Sequence, residues 1–92
     1  MVYIVTYDPP AGRPAYSHTL VERIESEFPH RHQLHESTWI VDSGPHRTEE
    51  ILRLLGPVPQ GASVFVARLA GREWAADPKP SWAERINQDW AW

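Results

Sequence analysis

The stretch "VYIVTYD", Val2 to Asp8, is apolar at both its odd and its even positions and is stopped by Pro9-Pro10. Its β-branched and aromatic residues favour extended backbone, and successive side chains on a strand point to opposite faces. A strand written this way has to be covered on both sides. A second such stretch, "SVFVARLA" from Ser63, is again apolar on both faces apart from Arg68. Any fold for this chain must therefore cover two faces of one sheet, and 92 residues leave little chain to do it with. The first strand also raises a chemical question. Asp8 before a proline is a common turn former, because its carboxylate accepts local backbone hydrogen bonds, yet the same carboxylate is displayed at the end of a strand.

Between these strands the apolar period changes. "AYSHTLVERIESEF" places Leu20, Val21, Ile24 and Phe28 at helical spacing, with Glu22, Arg23, Glu25 and Ser26 outward, and Pro14 and Pro29 mark its ends. "HRHQLHESTWIVD" reads as two short strands, about 30–35 and 38–41, separated by Glu36-Ser37. After Gly44-Pro45 a second, shorter helix carries Glu49 and Glu50 in its first turn and Ile51, Leu52, Leu54 and Leu55 on its apolar face, until Gly56-Pro57 ends it. The order β-α-β-β-α-β predicts an α+β chain of the ferredoxin-like type, a four-stranded antiparallel sheet with both helices on one face. One sheet face is then left without helices, and a second copy approaching sheet to sheet would cover it. Residues 1–70 form this domain and 71–92 an extension.

The extension holds most of the compositional bias. Five tryptophans occur in the chain, three of them in the last eleven residues. Ser81 suits a helix cap, and Trp82, Ile86 and Trp90 recur every fourth residue on one face of a helix too short to stand alone. That face has to dock on its own domain, on a sister subunit or on another protein.

Composition narrows the chemistry. With no cysteine there is no disulfide, thiolate zinc site or cysteine nucleophile. No apolar run reaches membrane-spanning length and no basic segment precedes the first strand, so a cytoplasmic protein without a membrane partner is expected. A formal net charge of -3 gives no global attraction to nucleic acid, so any such contact must use a local patch. Arg13, His18, Arg31, Arg47 and Arg68 are the cations available for one. By strand alternation His30 and His32 share a face and His35 takes the other, which makes no three-ligand metal set; a phosphate contact helped by Arg31 is the functional expectation and a solvated strand edge the plainer one. Trp39 reads as a core or interface aromatic, and Trp74 as a lid on the last strand. No glycine-rich phosphate loop or nucleophile elbow is present.

"VYIVTYD", a helix, "HESTWIVDSG", a second helix and "SVFVARLAGREW" together resemble the small CRISPR-adaptation nuclease-like family, the second of the two core adaptation proteins, and its stand-alone VapD-like and SinR-like relatives. The resemblance covers about residues 1–75, and "STWIV" with "VARLAGREW" is most similar to the SinR-like branch. It implies a homodimer about a two-fold axis and, where members are active, metal-dependent endonuclease cleavage of RNA or DNA. The position matching the metal-holding aspartate is Asp8, so Asp8 is the expected catalytic residue and ligand of Mg²⁺ or Mn²⁺. Arg13, His18 and Arg31 are the expected nucleic-acid contacts. A reading of a different class is a catalytically silent dimeric scaffold or interaction module, with Trp82, Ile86 and Trp90 recruiting a protein partner.

Overall fold

A computed structural model describes residues 1–8, 15–71 and 73–92. Its elements are β1 (Val2–Asp8), α1 (Ala15–Glu27), β2 (Arg31–His35), β3 (Thr38–Asp42), α2 (Thr48–Leu55), β4 (Ser63–Arg68) and α3 (Ala83–Asp89). The four strands form one antiparallel sheet in the order β2-β3-β1-β4, the ferredoxin-like arrangement. The two double-sided apolar strands are neighbours, β1 inside and β4 at the edge.

One face of the sheet carries the helices. Tyr3, Val5 and Tyr7 of β1 and Trp39 and Val41 of β3 point into it, where Leu20 and Ile24 of α1, Phe28 just after it, and Ile51 and Leu55 of α2 complete a buried cluster. The i, i+4 spacing of Leu20 and Ile24, continued by Phe28 at the helix end, lays them in one stripe, and each fully buried side chain contributes about 1.5–3 kcal/mol. Trp39 satisfies its indole N–H inside this layer by donating to the Tyr7 hydroxyl at 3.3 Å, which is how so large a polar-tipped ring can be buried. It is a core aromatic of its own chain.

The other face is covered in part by the extension. Val2 and Ile40 are buried there against Ile86 and Trp90, with Leu34, Leu69, Trp74, Trp82 and Trp92 packed around them. The extension thus docks on the sheet of its own chain. Its helix starts one residue later than a Ser81 cap would give: Trp82 occupies the cap position and makes no side-chain capping bond. Two bonds inside the segment and one to the sheet hold it instead. The Trp92 indole donates to the Ile86 carbonyl at 2.9 Å, the Trp74 indole to Asn87 Oδ1 at 3.3 Å, and the Ala91 amide to Asp42 Oδ2 at 3.0 Å. Asp42 also lies 3.5 Å from the N-terminal ammonium, so one carboxylate ties both chain ends to β3. Among the described residues, no helix is long and apolar enough to cross a membrane.

Candidate functional site at the open end of the sheet

The extension covers only the Val2–Ile40 end of its face. Alternation along β1 puts Ile4, Thr6 and Asp8 on the same face, and pairing places Thr38 of β3 and Ser63, Phe65 and Ala67 of β4 beside them. This half is open: Asp8 and Ser63 are exposed, and the Phe65 ring is 64% exposed. Asp8 lies opposite Ser63, and Thr6 lies opposite both Thr38 and Phe65, with the two threonine hydroxyls 3.1 Å apart. The site is therefore a carboxylate at the end of a central strand, flanked by hydroxyls and one uncovered aromatic ring.

Oxygen donors of this kind suit Mg²⁺ or Mn²⁺, which keep several waters and need only one or two carboxylates. Among the described residues, no three His, Cys, Asp or Glu side chains gather closely enough to hold a metal ion.

The residues singled out from sequence are distributed over more than one region. Arg13 lies outside the described residues. His18 is exposed on α1, in the helix layer, while Asp8 points to the opposite side of the sheet. Arg31 stands opposite Val41, itself opposite Tyr3, five residues of extended chain from Asp8 or about 17 Å along the sheet. It donates to the Phe28 carbonyl at 3.0 Å and lies 3.8 Å from the Glu25 carboxylate. Trp82, Ile86 and Trp90 face inward. Trp82 stacks on the His32 ring with centroids 4.4 Å apart and planes 3° off parallel, and Trp90 lies 5.6 Å from the same ring. Burial under these indoles, and then the positive charge of Arg85 and Arg31, hold the His32 imidazole below its ordinary pKa.

A register irregularity between Gln33 and His35 changes the histidine pattern. It sets His35 opposite Thr38, a residue of the half-covered face, where strict alternation from His32 would have sent it to the helix side. A bulge has no periodic signature, so the sequence did not announce it.

Two features were missed in sequence. Arg85 is an ordinary surface residue of a short helix until the extension folds back and lays it beside His32. The other is a groove of about 580 Å³ along the outer side of β4, lined by Leu52, Arg53, Val58 and Val64 among others. Leu52 and Val58 there are 39% and 45% exposed. The sequence signal for it was an α2 with apolar residues on more than one side. No protein-family description, curated protein or solved structure was found to match this chain.

Proposed function

We propose that the chain works as a nucleic-acid-associated homodimer in the manner of the adaptation-nuclease family it resembles, with Asp8 from each copy at a shared divalent cation. The observation that carries this reading is the position of Asp8: exposed, at the end of a central strand, on the half of the sheet that the extension leaves open and beside an uncovered Phe65. A two-fold contact centred on this half would cover the ring and bring two carboxylates together. The pair would hold Mg²⁺ or Mn²⁺, and the bound cation would supply a polarised water for phosphodiester hydrolysis. Asp8 positions the ion, and the paired Thr6 and Thr38 hydroxyls keep the adjoining sheet surface polar.

The test is cleavage of labelled single-stranded RNA and double-stranded DNA with Mg²⁺ and with Mn²⁺, by wild type and Asp8→Ala. Chelator-sensitive cleavage that falls at least 100-fold in the variant is the expected result, in line with loss of a metal-based stabilisation of several kcal/mol. A folded dimer without activity would overturn the enzyme reading.

The groove beside β4 favours a second reading, a catalytically silent interaction module. Among the described residues β4 is an edge strand whose outer backbone groups have no strand partner, and the apolar walls from Leu52 and Val58 accompany it, which is the arrangement that strand addition uses. In that case Asp8→Ala leaves function intact, whereas a charge at Leu52 abolishes partner capture.

A further inference from the structure

The seam between β2 and α3 encloses a pocket of about 240 Å³, with His30, Arg31 and His32 on one wall and Arg85, Asp89 and Trp90 on the other. We propose that this pocket is a binding site for a phosphate group. Two arginines, two histidines and a single carboxylate, Asp89, line it, a formal charge of +1 with neutral imidazoles in a chain whose net charge is -3, and the Arg31 guanidinium reaches past the strand towards Phe28 and Glu25. The cations come from segments some fifty residues apart, and only the docking of the extension brings them together.

The cations are also available. Arg85 makes no ion pair among the described residues, although Asp89 follows it by one helical turn. Arg31 commits one nitrogen to the Phe28 carbonyl and its pairing with the Glu25 carboxylate is long, at 3.8 Å, leaving further N–H donors. A guanidinium fork matches phosphate oxygens in pairs, and a phosphate held by Arg85 beside His32 would offset the positive charge that Arg85 and Arg31 place near that ring. Among the described residues, the charged and titratable groups around His32 are Arg31 and His30 on its own strand, Arg85 and Asp89 of α3, and Glu25 of α1 beside Arg31. Binding of a phosphodiester tightens as pH falls below the ordinary imidazole range and His32 takes up its proton, because that proton adds attraction for an anion whose own charge does not change. The source of the phosphate is either the free ion or the backbone of a nucleic acid. Only the second rests on the nucleic-acid reading above, and neither depends on Asp8.

The experiment titrates the full chain with inorganic phosphate and, separately, with a short single-stranded oligonucleotide lacking terminal phosphates, following the Trp82 and Trp90 indole resonances and the His32 ring. Both indoles report directly, since they stack on His32. Saturable shifts that weaken by roughly tenfold in Arg85→Gln, as expected for loss of a charge-assisted bond, support the site. Arg53→Gln, on the far side of the molecule, leaves them unchanged. Saturation by the oligonucleotide with a salt slope reduced by about 0.7 in Arg85→Gln assigns the site to a nucleic-acid backbone, and saturation by phosphate alone assigns it to the free ion. Unchanged affinity in Arg85→Gln, or no shift with either probe, overturns the proposal. Asp8→Ala is expected to bind as wild type does, so lost cleavage with intact binding separates the two proposals.

Discussion

Gly56 closes α2 with φ +86° and ψ -178°, a region that residues with a Cβ scarcely enter. A Cβ at this position would also meet the Arg23 guanidinium, but that is the end of a flexible side chain and can swing aside. The backbone sets the cost. Gly56→Ala is expected to destabilise the fold by about 1–3 kcal/mol, read as a lower urea midpoint with an unchanged slope. At this scale the sequence was informative in one direction only. Gly56-Pro57 was legible as a helix stop and Asp8 as a strand end, because both follow from local backbone chemistry. The exposure of Asp8 and the neutral bias of His32 were not legible, because each depends on what another segment lays over the sheet.

The extension is the element whose fate the sequence left open among three docking partners. Trp82, Ile86 and Trp90 recur on one face of that element and lie against the chain's own sheet, since a helix of seven residues gains its stability from packing. Ile86 is fully buried at the centre of that contact. Ile86→Ala is therefore expected to cost about 2–4 kcal/mol, measured by denaturant unfolding, through lost transfer energy and the cavity left behind. Undocking of the segment alone would appear as an early indole fluorescence transition ahead of the far-ultraviolet signal. The β2 bulge is the counterpart case: a one-residue irregularity moves His35, and no side-chain period encodes it.

For the whole molecule, the central quantity is the apolar surface left after the extension has docked. A phenylalanine ring that is 64% exposed leaves roughly 100–160 Å² of aromatic surface on the open half, and Leu52 and Val58 add a second patch at the β4 margin. Sedimentation across a concentration series is expected to show a dimer for wild type and a monomer for Phe65→Asp, with far-ultraviolet spectra alike because a ring exposed on the single chain contributes little to its core, and with the wild-type unfolding midpoint alone rising with protein concentration. A wild type that stays monomeric, or a variant that still dimerises, would remove the two-fold contact on which a shared cation depends.

The order of elements, the four-stranded antiparallel sheet and the need to cover two of its faces were determined by sequence alone, because strand and helix periods and proline and glycine stops are local properties of the chain. Tertiary structure decided what does the covering. The helices close one face, the chain's own tail closes half of the other, and the remaining half displays Asp8 and Phe65. It also decided which cations meet, gathering Arg31 and Arg85 with His30 and His32 and leaving Asp8 far from Arg31, since juxtaposing residues fifty positions apart depends on long-range packing that no short sequence window contains.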